Sequence, residues 1–144
     1  MHDQALATLL TFLQQPDRST LWVADENALD AVGSIPVRDN LQLLTNRYDV
    51  EQAARLAGHQ VTFSDFDFSP YGKHCFQCIV YRISKEKPVV HHVLNHASRL
   101  LVPGGQLLIS GLKNEGVKTF IEKCRLHFGN GSSGKHGIAY LGNF

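Results

Sequence analysis

Between Cys78 and Ser110 the chain runs strand, helix, strand with little between them, and few folds accommodate that order. Cys78–Ile83 reads Cys-Ile-Val-Tyr-Arg-Ile, rich in the branched and aromatic residues of a strand covered on both faces. Pro88 suits the first turn of a helix. Val89, Val90, Val93, Leu94, Ala97, Leu100 and Leu101 then recur at helical spacing. Pro103-Gly104-Gly105 predicts a sharp turn, and Gln106–Ser110 a second buried strand. Two strands joined by a helix of this length lie parallel, because a tight hairpin cannot connect them.

The rest of the chain keeps the alternation. Ala5, Leu6, Leu9, Leu10 and Leu13 mark one face of an N-terminal helix, which Pro16-Asp17 would end. Thr20–Ala24 is a short apolar strand, and 25–32 reads as a short helix or loop. Leu41–Leu44 and Gln60–Phe63 are further strands, separated by a helix over Tyr48–Ala57 with Gly58 as its cap. Residues 64–73 read as a polar and aromatic loop. Gly116–Phe128 reads as an amphipathic helix, 129–134 as a glycine-serine loop and Gly137–Leu141 as a closing strand. The pattern predicts one α/β domain over residues 1–144, with an N-terminal helix in 1–15 and a Rossmann-like core in 20–144. Its mostly parallel sheet would carry helices on both faces, and any ligand crevice would lie at the carboxyl ends of the strands.

Bulk properties narrow the function classes. A chain of 144 residues with 43% hydrophobic and 19% charged residues buries a core and is not a disordered segment. The formal net charge of +1 gives no overall pull on nucleic acid or anionic lipid, so RNA contact requires a local patch. The first residues, Met1-His2-Asp3-Gln4, have no basic stretch leading into an apolar one, and no apolar run is long enough for a bilayer. These features predict a cytoplasmic protein without membrane contact, in which the three cysteines are reduced.

Several motifs resemble reactive sites. Gly129-Asn-Gly131-Ser-Ser-Gly134 spells G-x-G-x-x-G, and Lys135 follows it as in a phosphate loop. A phosphate cradle lies between a strand and a helix N-terminus, whereas this one lies between a helix and a strand, so a plain turn is expected. His74, Cys75 and Cys78 offer three ligands where structural zinc takes four, and the cysteines lead into a strand rather than a helix. His92 and His96 stand four apart near His91, without the glutamate of a zinc-protease helix, and read as a solvated face. Asp65 and Asp67 flank Phe66 with no partner base in view. No catalytic residue, cofactor ligand or metal ligand is assigned. Arg82, Lys85 and Lys87 follow the strongest strand, Lys113, Lys118, Lys123 and Arg125 the next, and Lys135 lies in the glycine loop. Arg82, Lys85, Lys87 and Lys113 are the candidates for phosphate contact.

The order strand, Lys87-Pro88, helix, Leu101-Val102-Pro103-Gly104-Gly105, strand resembles the later half of a class I methyltransferase. Ile79–Pro88, Gly111–Lys118 and Lys135–Tyr140 together resemble the N-terminal half of the bacterial guanine-N2 ribosomal RNA methyltransferases of the small-subunit type. The resemblance runs from about Thr20 and is weakest before Tyr48. In that family two methyltransferase-like domains stand in tandem: the second binds S-adenosylmethionine and carries an Asn-Pro-Pro-Phe type motif, and the first is a degenerate copy.

The resemblance therefore implies a non-catalytic domain that supports its own C-terminal catalytic domain and offers ribosomal RNA, or the small ribosomal subunit, a basic rim. S-adenosylmethionine would belong to the catalytic domain, expected to follow Phe144. Three departures from an active domain agree. The turn after the first strand, Ala24-Asp-Glu-Asn-Ala28, has no glycine; the second strand runs into Thr45-Asn46 rather than an acid; and the fourth ends Tyr81-Arg-Ile-Ser-Lys85. Two alternatives stay open: a stand-alone S-adenosylmethionine-dependent methyltransferase using Asp25, Glu26 or Asp65, and an assembly module docking through the apolar face of 5–13.

Overall fold

The computed structural model describes residues 3–14, 17–129, 131–136 and 139–144. Its strands are β1 (Thr20–Ala24), β2 (Leu41–Thr45), β3 (Gln60–Phe63), β4 (Phe76–Arg82), β5 (Leu101–Leu112), β6 (Ser132–His136) and β7 (Ala139–Asn143). They form one sheet in the order β3-β2-β1-β4-β5-β7-β6. The first five strands pair in parallel, and β7 runs antiparallel between β5 and β6. The helices are α1 (Gln4–Ala7), α2 (Leu10–Leu13), α3 (Tyr48–Ala57), α4 (Lys87–Leu100) and α5 (Val117–Phe128). The strand order reverses at β1, which is where open sheets of this kind form a crevice.

Both faces of the sheet are covered, which is why the central strands are apolar throughout. Leu21 and Val23 of β1 pack with α4 and α5. Their neighbours Trp22 and Ala24 point the other way, onto Leu6, Leu9, Leu13 and the Val50–Ala54 face of α3. Each such Leu or Val contributes about 1.5–3 kcal/mol by leaving water. The expected α/β architecture, mostly parallel with helices on both faces, is the one observed.

Some local expectations are corrected. The N-terminal helix is two single turns: the Thr8 hydroxyl donates to the Ala5 carbonyl (2.8 Å), and the chain turns again at Leu9. Its apolar face is no free docking surface, because Ala5, Leu9 and Leu13 are fully buried in this chain's own core. Residues 103–105 do not reverse the chain. Leu101 already pairs with Phe76 as α4 ends, and the strand bulges before Gln106 resumes the ladder opposite Cys78. Gly105 fits there because a Cβ would stand 3.0 Å from the Val102 carbonyl and 3.1 Å from that of Gln77. The glycine-serine loop contains a strand, Ser132–His136, paired with β7. Pro16, Asn130 and the start of the expected closing strand, Gly137 and Ile138, lie outside the described residues.

One buried ionic cluster ties the N-terminal segment and the turn after β5 to the end of β4. Arg82 closes β4 at 4% exposure. Its Nη1 donates to Glu115 Oε1 (2.5 Å) and to the Ile83 carbonyl (2.7 Å), and its Nε to Asp3 (3.1 Å). Desolvation works against the guanidinium charge, but the Glu115 bond and the Asp3 charge outweigh it and leave its pKa above the usual arginine value. Glu115 Oε1 also accepts from the Leu112 amide (2.7 Å) and so shapes the turn into α5. At the amino-terminal rim Arg38 plays a related part, donating to the carbonyls of Leu13 and Arg18.

Two outcomes follow. Glu115→Ala leaves Arg82 buried beside one carboxylate and is expected to cost about 3–5 kcal/mol in urea unfolding; a loss below about 1 kcal/mol would deny the cluster that role. Cys75 is exposed, while burial pushes the thiols of Cys78 up to about 11 and of Cys124 to about 12. One thiol per native chain should therefore react rapidly with an aromatic disulfide reagent near about pH 8, and the other two only on unfolding.

Candidate functional site

The loops after β1, β2 and β4 meet beyond the strands' carboxyl ends in a cleft of about 360 Å³, lined by Asp25, Glu26, Asn46, Arg47, Phe66, Ser84, Lys85, Glu86 and Val89. The chain leaves β1 through a 3-10 turn, Glu26–Ala28, which Asp25 caps. Asp25 Oδ1 accepts from the Asn27 amide (3.0 Å) and from Asn27 Nδ2 (2.8 Å). Burial raises the Asp25 pKa against these bonds and against the charge of Arg82. Asp25 Oδ2 and Asn46 Oδ1 are buried without a hydrogen-bond partner among the described residues.

Arg47 stands just past the end of β2. It pairs with Asp49 (3.1 Å) and lies 4.0 Å from Glu26, so the rim between β1 and β2 is bridged by a cation. The Asp49 hydrogen bond holds the Arg47 pKa above its usual value. Sequence reading did not single out Arg47, although its place directly after a strand and before α3 marks it as a crevice residue. The cleft offers acceptors, two cations and an apolar wall. Its lining holds no histidine or cysteine to pair as nucleophile and base.

A second, more open groove of about 540 Å³ lies between α1, α2 and the 26–34 segment. Asp3 and Arg82 line it, but they are already paired to each other.

The four phosphate-contact candidates separate. Lys85, Lys87 and Lys113 are exposed. Lys85 and Lys87 follow β4, and Lys113 follows the neighbouring parallel β5, so all three reach one rim. Arg82 is withdrawn from that set: it points into the fold, and its charge is committed to Asp3 and Glu115. The remaining cations are elsewhere. Lys118 and Lys135 both lie over the Tyr140 ring, at 5.6 and 5.9 Å. Lys123 is beside His91 and Phe120, and Arg125 pairs with Glu122.

The motif residues have structural employment. Cys75 is exposed and donates to the Gly72 carbonyl (2.8 Å), while Cys78 is buried in the sheet. His74 is bonded to the Leu101 carbonyl (2.6 Å). His92 and His96 are not on a solvated face. Both rings lie on Phe68, at 5.4 and 5.2 Å, and His92 Nε2 donates to the Phe66 carbonyl (2.7 Å). With Arg99, which donates to the carbonyls of Phe68 and Tyr71, they fasten the 64–73 loop to α4. Asp67 accepts from the Ser69 amide (3.0 Å), which holds its carboxyl below the usual range. Asp65 is exposed. No three potential ligands gather into a metal site among the described residues, and no described helix is long and apolar enough to cross a membrane.

No family model matches the chain, and no curated protein matches it by sequence. Solved structures do match by shape. The 16S rRNA N2 G methyltransferase RsmC of T. thermophilus, solved with AdoMet and guanosine, superposes with a TM-score of 0.74 at 17% identity over 99% of this chain. The chain spans 38% of that protein's length. The ribosomal protein L11 methylase of Lactobacillus delbrueckii subsp. bulgaricus gives a TM-score of 0.72 at 13% identity, over 99% of this chain and 78% of that one. The N-methyltransferase NodS of Bradyrhizobium japonicum, with S-adenosyl-L-homocysteine, gives 0.62 at 12% identity, over 98% of this chain and 85% of that one. At these identities the shared property is the fold, and that fold is the Rossmann-like class I methyltransferase fold.

Proposed function

We propose that this chain is a methyltransferase-fold domain that no longer binds S-adenosylmethionine, the N-terminal, non-catalytic part of an enzyme that methylates guanine N2 in ribosomal RNA. The observation that carries the proposal is the set of side chains that line the crevice. A cofactor lying across β1 needs backbone close to it, which a glycine turn permits; here Asp25 is turned in and capped on Asn27, with Glu26 and Asn27 bearing side chains at that turn. Ribose hydroxyls need an acceptor after β2, and Arg47 supplies a donor. The two orphaned acceptors are sealed from the surface. The residues present do not fit the cofactor, and no step is derived through it.

The rRNA assignment is supported by the sequence likeness over Ile79–Pro88, Gly111–Lys118 and Lys135–Tyr140. It is supported too by the shape match to an rRNA N2 guanine enzyme of which this chain spans well under half. In this reading the domain steadies its own catalytic partner domain, and Lys85, Lys87 and Lys113 hold RNA phosphates at the rim.

Calorimetric titration with S-adenosylmethionine is expected to give no saturable heat up to about millimolar ligand, an affinity weaker than about −4 kcal/mol. Saturable binding would instead favour a methyltransferase in its own right. Binding of a small-subunit rRNA fragment is expected to weaken as salt rises. The triple variant Lys85→Ala, Lys87→Ala, Lys113→Ala should flatten the log–log salt slope by about 2–3. An unchanged slope would remove these lysines from the interface.

A further inference from the structure

All seven arginines donate hydrogen bonds to side chains or carbonyls of this chain. None of the seven lysines forms an ion pair among the described residues. The cations left to meet a phosphate are therefore lysines. Lys85, Lys87 and Lys113 stand at the rim, and two more gather round one aromatic ring a strand away.

Tyr140 belongs to β7, opposite Gly111 of β5 and Lys135 of β6. Gly111 is the next-to-last residue of β5, so Tyr140 lies near the end at which Lys113 leaves that strand. Lys118 reaches the ring from the first turn of α5, with Nζ 5.6 Å from the centroid, and Lys135 reaches it from β6 at 5.9 Å. Both lysines are exposed, and Tyr140 packs against the core while staying partly exposed. Glu122, one turn along α5 from Lys118, is taken by Arg125 (2.8 Å), and Glu115 is buried with Arg82. An aromatic ring with two unneutralised cations over it is thus left at the surface.

We infer that Tyr140 is a stacking platform for an unpaired nucleotide of single-stranded RNA, whose neighbouring phosphates Lys118 and Lys135 hold. A lysine over an exposed ring is held weakly and exchanges readily for a phosphate. Every nucleobase has a π-face that stacks on an aromatic ring, and a ring beside free cations holds a single strand with little regard to sequence. The bases of a duplex are stacked on one another and do not reach such a ring, whereas those of a loop or an end do. An acidic protein segment would use the lysines and leave the ring without a counterpart. The inference rests on the reading of this chain as an RNA-binding domain and adds the kind of RNA, a loop or an end rather than a helix. It uses none of the three rim lysines, so the two can fail separately.

The test is fluorescence anisotropy of the full chain with a labelled single-stranded RNA of about 12 nucleotides, and with a duplex of the same length. The single strand should bind more tightly than the duplex. Tyr140→Leu, which keeps an apolar side chain but removes the ring, should weaken single-strand binding by about 5- to 100-fold at an unchanged salt slope. Tyr140→Phe, which keeps the ring, should hold the affinity within about twofold. Lys118→Ala with Lys135→Ala should lower the salt slope by about 1–2. In the unmodified chain, photocrosslinking of a thiouridine-substituted strand should mark Tyr140, a readout that survives if a variant fails to fold. Equal binding of strand and duplex, full affinity in Tyr140→Leu, crosslinking that misses Tyr140, or polyglutamate competing as well as RNA would each overturn the inference. Binding lost in the Lys85, Lys87, Lys113 triple variant but kept in Tyr140→Leu would overturn it and leave the rim standing. The reverse pattern would uphold it and remove the rim lysines.

Discussion

The fold turns on where the charge of Arg82 goes. Withdrawing a guanidinium from water costs several kcal/mol unless carboxylates and hydrogen bonds offset it. Here the offset comes from two distant parts of the chain, Asp3 before the first turn and Glu115 after β5. The N-terminal segment must therefore lie against the carboxyl end of β4, and Ser110 secures it further by donating its hydroxyl to the Ala5 carbonyl (2.6 Å). That placement brings Leu6, Leu9 and Leu13 onto Trp22 and closes the second core. The end of β4 thus serves as an internal fastening.

Much of the fold was legible because it depends on local chemistry. The helix α3 has the bounds read from its sequence: its alanines favour a helix, and Gly58 ends it in the left-handed conformation at φ 97°. β4 and α4 were legible from branched residues and a 3.6-residue period, give or take two residues at their ends. What escaped depends on distant partners. The apolar period of 5–13 suits one continuous helix, yet α1 starts from an Asp3 that caps Leu6 and also holds Arg82, and the segment then follows the sheet. β6 has no strand signature and its described side chains are exposed. It is a strand because the inserted β7 needs a ladder partner on its outer side.

The candidate site divides in the same way. The missing glycines after β1 and the missing acid after β2 are visible as letters, and so is the basic character of Lys85, Lys87 and Lys113. The fate of Arg82 is not, since its partners lie 79 residues before it and 33 after it. The spacing of His92 and His96 was equally legible, but the Phe66 carbonyl and the Phe68 ring that occupy them come from the preceding loop. Titratable residues at suggestive spacing were filled by structural bonds whenever a loop carbonyl lay within reach.

That division lets such a fold keep its architecture while the residues of its crevice vary. The residues that would meet a cofactor sit in loops beyond the strand ends, while the stability resides in strand interiors and helix faces. Loop residues can change at the cost of a few local bonds, and the sheet does not register the change. The crevice still retains a sign of polar design in the buried Oδ2 of Asp25 and Oδ1 of Asn46. An unpartnered buried acceptor costs about 1–3 kcal/mol, and these two are among seven buried side-chain polar atoms without a partner among the described residues. On the proposed reading, such acceptors beside a crevice bridged by Arg47 are what a binding site converted into a scaffold would leave behind.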